Sequence, residues 1–361
     1  MKKLTILFLI ILAFSGTSHA QWEIQHSNTE YTLRPVFFAD ANTGFVAGIN
    51  RRNGLEFVSI LLKTEDGGAT WAEMLKVDTM RFQDVFFTNA KTGYLIGQAK
   101  KGERLLRTTD GGLTWKVQPT TYVYGRSFTQ IHFTTPDNGI ITGAYGMLMQ
   151  TTDAGAHWKK LPVAPTELHY WVFQGLVGYA IGFGNTMSVS GEPGTFLICK
   201  TTDGGASWSV LESSRSNKGY VSMACGSPNV AYTWSYAKDP NDKTDYSYLC
   251  KTTDGGTTWT KTKIRNMYQG LLYFQDANTG YNVTADSIHK TVDGGKTWHA
   301  QVINVNPNGK YPIPRRTYSI CFPTPNTCIA TAERVYNGTT NMIIRYTGSK
   351  KQASKSGGRR K

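Results

Sequence analysis

The chain has 361 residues, 40% of them hydrophobic and 12% aromatic, with a formal net charge of +14. That apolar content supports a sizeable core and excludes a disordered chain. Lys2 and Lys3 carry two of the charges and Lys350, Lys351, Lys355, Arg359, Arg360 and Lys361 carry six, which leaves +6 for residues 21–347.

Residues 1–20, MKKLTILFLIILAFSGTSHA, read as a cleaved secretory signal, with two lysines, an apolar run from Leu4 to Phe14, and small residues at Ser18 and Ala20. The run is shorter than an ordinary membrane-spanning helix. No cysteine stands directly after the cleavage point, and no later stretch is apolar enough to cross a bilayer. The mature chain is expected to start at Gln21 and to be soluble, in the periplasm or outside the cell, without stable membrane insertion. A basic body in that compartment favours acidic partners, anionic glycans or a membrane surface over nucleic acid.

From Gln21 onward one unit recurs. An Asp-Gly-Gly turn stands at KTEDGGATW (63–71), RTTDGGLTW (107–115), QTTDAGAHW (150–158), KTTDGGASW (200–208), KTTDGGTTW (251–259) and KTVDGGKTW (290–298). A second motif alternates with it: VFFADANTGFVAG (36–48), VFFTNAKTGYLIG (85–97), IHFTTPDNGIITG (131–143) and WVFQGLVGYAIG (171–182), with weaker copies at 223–233, 272–283 and 320–331. Seven copies of the second motif face six of the first. Residues Gln21-Trp22-Glu23 look like the strand that follows an Asp-Gly-Gly turn, so they complete the seventh unit. Gln21 to Thr347 then gives about 47 residues per unit, the length of a four-stranded propeller blade. Short strand-like runs bounded by Asn, Asp, Gly or Pro, with no helical period, predict an all-β fold. The expected architecture is a single seven-bladed β-propeller over 21–347, closed by its N-terminal strand. Residues 348–361 form a basic tail that is expected to be disordered.

The recurring aspartates are Asp66, Asp110, Asp153, Asp203, Asp254 and Asp293. A catalytic acid has no reason to appear six times around a ring. No helix start follows to make a phosphate cradle, and one carboxylate per turn is far short of calcium's roughly six to eight oxygens. The turn therefore reads as structural. Its aspartate is expected to accept the backbone N–H two residues on, and its second glycine, present in all six copies, to need a positive φ. The first glycine gives way once, to Ala154. The tryptophan is a plate for packing between blades. Of five cysteines, Cys321 and Cys328 flank FPTPNT, a tight hairpin, and are the expected disulfide. Cys199 and Cys250 hold equivalent places in separate units and are not expected to pair, and Cys225 has no assigned partner.

The pattern [S/T]-x-D-x-G-x-[T/S]-W resembles the Asp-box, or bacterial neuraminidase repeat; five copies fit it and the third departs at His157. Families with this repeat include sialidases, xyloglucanase-type hydrolases, sortilin-like receptors and photosystem II stability/assembly factors. The VFFADANTGFVAG segments are most similar to the last family and its exported bacterial relatives. The resemblance implies that the Asp-box turns lie on the face opposite the binding surface, and that an arginine-rich patch lies on that surface.

If the two turn sets share one face, the segments leading into each innermost strand lie on the other. These carry Arg34, Arg81, Arg126, His169, Lys218, Arg265, Arg315 and Arg316, a basic rim suited to carboxylates. Tyr124, Tyr170 and Trp171 are the aromatic contact candidates. A sialidase would need an arginine cluster, a tyrosine beside a glutamate and an aspartate acid; Arg34-Pro35 lacks the expected isoleucine. Asp78, Glu103, Glu167 and Glu333 sit in different loops and form no recognisable catalytic set. No catalytic, cofactor or metal residue is assigned. The leading expectation is a non-catalytic exported propeller binding a protein partner, acidic or part of an envelope complex. A carbohydrate-active enzyme or glycan-binding module is the alternative.

Overall fold

In the computed structural model of the protein the described residues are 21–52, 56–100, 102–119, 127–162, 164–183, 195–215, 222–238, 245–264, 269–284, 287–301, 316–335 and 339–347. The expected signal (1–20) and tail (348–361) lie outside them.

Runs of β-branched and aromatic residues fold as strands, and the Asp, Asn, Gly and Pro between them fold as turns. Among the described residues this gives seven antiparallel sheets of four strands. Blade 1, from the axis outward, contains Thr32–Phe38, Gly44–Arg52, Glu56–Thr64 and Ala72–Val77. Blades 2 to 6 occupy residues 80–118, 128–160, 167–215, 223–264 and 271–301. Blade 7 contains Arg316–Thr324, Thr327–Val335 and Thr339–Thr347, and its outermost strand is Gln21–Thr29. Gln21 pairs with Thr347 and Ile24 with Ile344. One apolar cluster fills each joint between neighbouring blades, and the joint of blades 7 and 1 (Ile329 and Ile343 against Leu33 and Val46) closes the ring. The expected seven-bladed propeller is the fold.

The joints repeat one arrangement. Phe45, Tyr94 and Tyr232 stack on Phe87, Phe133 and Phe274 of the following blade, with centroids 3.6, 4.2 and 3.6 Å apart. Trp115, Trp158 and Trp298 of that following blade stand edge-on to the same phenyl rings at 6.0, 6.1 and 6.2 Å. Each such aromatic pair contributes about 0.5–1.5 kcal/mol beyond its buried area.

The Asp-box turn is a closed hydrogen-bond circuit. In the first box Thr64 Oγ1 accepts the N–H groups of Asp66 and Gly68 and donates to Asp66 Oδ1 at 2.8 Å. Asp66 Oδ1 also accepts the Thr70 N–H at 2.9 Å, and Oδ2 accepts the Thr70 hydroxyl at 2.6 Å. The other boxes repeat this, with Ser207 as the hydroxyl in the fourth and His157 Nδ1 lying 2.7 Å from Asp153 Oδ2 in the third. The aspartate thus reaches four residues on, not two, because the preceding threonine already holds the nearer N–H. The expected Asx-turn sits instead in the other motif, where Asp40 Oδ1 accepts the N–H groups of Asn42 and Thr43. The Thr70 hydroxyl pulls Asp66 down to about 2, and the His157 N–H does the same to Asp153. Such donor-saturated carboxylates stay ionised at ordinary pH and carry no protons in a reaction.

Both turn glycines have positive φ, 68° at Gly67 and 85° at Gly68, and Ala154 holds the first position at 54°. The two positions differ in space, the second being the tighter except at Gly112, where a Cβ would meet nothing nearer than 3.7 Å. A Cβ on the second glycine would come within 2.6 Å of Ile329 at Gly68, 2.7 Å of Tyr94 at Gly155 and 2.2 Å of Ile140 at Gly205, all on the preceding blade. At the first position of the first box the nearest obstacle is Ala41 O at 3.1 Å. An alanine fits there, at a backbone cost. Ala154→Gly is expected to stabilise the protein by up to about 1 kcal/mol, the left-handed strain relieved less the entropy gained by the unfolded chain. A raised urea midpoint at unchanged slope is the check.

Cys321 and Cys328 are free thiols, which corrects the expected hairpin disulfide. Cys321 pairs with Ile329 across the hairpin, so Cys328, one residue away, points to the opposite side of the sheet. Cys321 packs at the joint of blades 7 and 1, and Cys328 at the joint of blades 6 and 7. Cys199, Cys225 and Cys250 are buried and free as well.

Candidate partner-binding face

The N–H of the residue after each Asp-box aspartate donates to a carbonyl in the blade's other turn, as Gly67 does to Asn42 O and Gly111 to Lys91 O, at 2.9 and 2.8 Å. Both turn sets therefore occupy one face. The starts of the innermost strands lie on the other, the upper face.

The first residue of the Asp-box runs belongs to the lower face and to the joints. Lys200 Nζ lies 5.5 Å from the Tyr179 ring centroid and donates to Gly255 O of the next box at 2.7 Å. Lys63, Arg107, Lys251 and Lys290 lie over Phe45, Tyr94, Tyr232 and Tyr281 in the same way. Arg345 Nε donates to Gly67 O at 3.0 Å where the ring closes. Lys200 and Arg345 thus tie neighbouring blades together, while Lys63, Arg107, Lys251 and Lys290 each lie over a ring of their own blade.

On the upper face the closing joint brings two rim residues to one place. Arg34 and Arg316 each lie 5.3 Å from the Tyr318 ring centroid. Both arginines are exposed, and among the described residues neither has an ion-pair partner. Tyr318 stands at a bulge between Thr317 and Ser319 and donates its hydroxyl to Glu333. Burial raises the Tyr318 pKa, and Glu333 raises it further. Thr331 Oγ1 donates to Arg34 O at 2.9 Å, which fixes blade 1 against blade 7 beneath the cluster. The result is a pair of guanidiniums set on an aromatic ring, open to an anion from solvent.

A second upper-face group lies on blades 3 and 4. Glu167 Oε2 accepts the Tyr145 N–H at 3.1 Å, and Glu167 Oε1 lies 3.8 Å from His169 Nε2. Tyr145 has a left-handed φ of 58° and is 61% exposed. His169 packs on Phe183, and burial lowers its pKa. Tyr170 is exposed, whereas Trp171 turns inward, stacked 6.3 Å from Trp208. Arg81 is half-buried and engaged in the fold. Arg126, Lys218, Arg265, Arg315 and Tyr124 lie outside the described residues.

The chain matches the family model described as photosynthesis system II assembly factor YCF48 over residues 15–116, 73–167 and 122–259. It belongs to the YCF48 family. Over 136 residues it is 27% identical to the Photosystem II assembly lipoprotein Ycf48 of Synechococcus sp. (strain CC9902), covering 36% of this chain and 34% of that one. The match therefore spans about a third of that relative's length. Among solved structures it is similar to a YCF48 bound to D1 peptide, with a TM-score of 0.65 and 20% identity over 90% of this chain and 96% of that one. YCF48 from Cyanidioschyzon merolae has a TM-score of 0.60 and 16% identity over 90% and 98%. A GH74 enzyme of Niastella koreensis has a TM-score of 0.58 and 14% identity over 85% of this chain and 52% of its own. These structural likenesses are of fold.

This YCF48-family chain also carries polar clasps near the axis that its repeats do not advertise. Ser319 Oγ accepts the Val36 N–H at 3.3 Å, and Ser222 Oγ accepts the Leu272 N–H at 2.9 Å, each across a joint. Asp84 Oδ2 accepts the Ile131 N–H at 3.0 Å in the same role, while Oδ1 accepts the Val85 N–H at 2.9 Å. Burial pushes the Asp84 carboxyl up to about 7. Glu103 Oε2 accepts the Phe128 N–H at 3.2 Å from the next blade, and burial raises its pKa too.

Proposed function

We propose that this chain is an exported, non-catalytic propeller that holds an acidic segment of a protein partner against its upper face, as an assembly or stability factor. The observation that carries this reading is the pair Arg34 and Arg316 beside Tyr318, without ion-pair partners among the described residues. Guanidinium forks match carboxylates bidentately, and the aromatic ring beside them supplies apolar contact. The peptide named for the YCF48 structure of similar fold is in keeping with a protein partner. A glycoside hydrolase reading draws on the GH74 likeness. Against it, Glu103, Glu167 and Glu333 are each engaged in a hydrogen bond within the fold, whereas hydrolysis needs a pair of carboxylates free to act on the bond.

Binding of a labelled D1 peptide, and of acidic and basic peptides of equal length, tests the proposal by fluorescence anisotropy. Arg34→Glu with Arg316→Glu is expected to weaken acidic-peptide binding by a factor of about 100, roughly 3 kcal/mol for two charge pairs. The melting temperature should not move, because both side chains are exposed. Equal affinity for the variant, or for acidic and basic peptides, overturns the reading. Export carries its own expectation. Lys2, Lys3, the apolar run from Leu4 to Phe14 and the small residues Ser18 and Ala20 place cleavage after Ala20, so mass spectrometry of the exported protein should find Gln21 at its N-terminus; a retained Met1 refutes cleavage there.

A further inference from the structure

We infer that an axial cavity between the innermost strands of blades 3 to 6 binds one neutral hydroxylated ring, a pyranose, at the end of the axis away from Arg34 and Arg316. The cavity has a volume of about 280 Å³, room for a single ring and near the small end of ligand sites. It exists because the axis is filled unevenly. Phe37, Phe86 and His132 touch in series around blades 1 to 3, with centroids 4.6 and 5.1 Å apart. In blade 5 the equivalent residue, paired with Tyr232 as Phe86 is with Tyr94, is Ala224.

Among the described residues the lining is aromatic, apolar and amide, with no Lys, Arg, Asp or Glu. Trp171 and Tyr273 supply ring surface, and His132 stacks 4.3 Å from Phe173. His132 has no hydrogen-bond partner among the described residues. Burial pushes it down to about 4, so at neutral pH it offers one donor and one acceptor. Gln174 and Gln275 are exposed, their amides are without partners among the described residues, and both stand where innermost strands meet the Asp-box-face turns.

These features select a ligand class by elimination. An ion would enter with no countercharge. A hydrocarbon would leave the imidazole and both amides unpaired. A pyranose presents a C–H face to the aromatic walls, and hydroxyls that donate and accept to the imidazole and amides.

Saturation-transfer NMR and calorimetry with glucose, galactose and xylose test this, with glucuronate and cyclohexanol as controls. At least one neutral sugar is expected to bind with millimolar affinity. Gln174→Leu with Gln275→Leu should weaken it at least tenfold at an unchanged melting temperature, and His132→Phe should weaken it further. No response to any of the three sugars, an unchanged response in the double variant, or a stronger response to glucuronate or cyclohexanol overturns the assignment. Arg34→Glu with Arg316→Glu should leave sugar binding intact, so failure here and failure of the partner reading are separate results.

Discussion

Asp84→Asn is expected to stabilise the protein at pH 8 and to leave its stability nearly unchanged at pH 4. Asp84 accepts two backbone N–H groups, one from its own strand and one from the next blade. Two hydrogen bonds do not make up for lost hydration, and burial raises its pKa from 3.8 to about 7. The sign follows from proton linkage. Between about pH 4 and 7 the folded state holds a proton that the unfolded state has released, so stability falls as pH rises through that window. Above pH 7 both states are ionised and the whole penalty is present, on the order of 4 kcal/mol for a shift of this size. Asparagine keeps an acceptor for one N–H and never ionises. Ser319 and Ser222 do the same work at other joints with a neutral oxygen. Thermal or urea unfolding of both proteins from pH 4 to 8 is the measurement. Parallel pH profiles would show that Asp84 is hydrated or compensated, and would remove it as the source.

Trp208→Ala carries the second large effect, a loss of about 3–5 kcal/mol by the usual cost of emptying a core aromatic site. Trp208 is 8% exposed, stacks with Trp171 and stands edge-on to Phe173 at 5.9 Å. Its Nε1–H donates to Gly205 O at 3.1 Å, which ties the plate to its own turn. That loss is a large share of a domain's usual 5–15 kcal/mol or so. Trp158 gives an internal comparison, because its Nε1 is buried without a partner. Trp208→Phe should therefore cost more than Trp158→Phe, which breaks no hydrogen bond and removes a buried unpaired N–H. Val117→Ala, at a side chain 62% exposed, sets the baseline; a Trp208→Ala loss no larger than that would refute the packing account.

Repetition made the fold readable. A turn written six times and a strand pair written seven times leave few ways to place the blades, and the orphan segment at Gln21 had one vacancy to fill. The same repetition hid what each turn does. Asp66 looks like an Asx-turn in isolation, yet its bonds are decided by Thr64 two residues before and Thr70 four after. The site was less legible because its parts meet only across joints. Arg34 and Arg316 stand at opposite ends of the sequence and share Tyr318 through ring closure. Asp84 reads as an ordinary polar residue before VFF; its partner N–H is 47 residues on. Tyr170 and Trp171 are adjacent in sequence, and a register shift between Leu168 and Tyr170 helps set which faces water and which faces the axis.

The ladder between Gln21–Thr29 and Thr339–Thr347 has a consequence for the timing of folding. Every other blade draws its four strands from one continuous stretch and can form as that stretch leaves the ribosome. The final blade cannot, because its outer strand is made first and its partner edge nearly last. Completion of the circle is thus a meeting of chain ends, slowed by loop-closure entropy and not by local propensity. Until it occurs the six earlier blades form an open arc, with the apolar side of blade 1 that carries Leu33 and Val46 uncovered. Circularisation is the step that buries it.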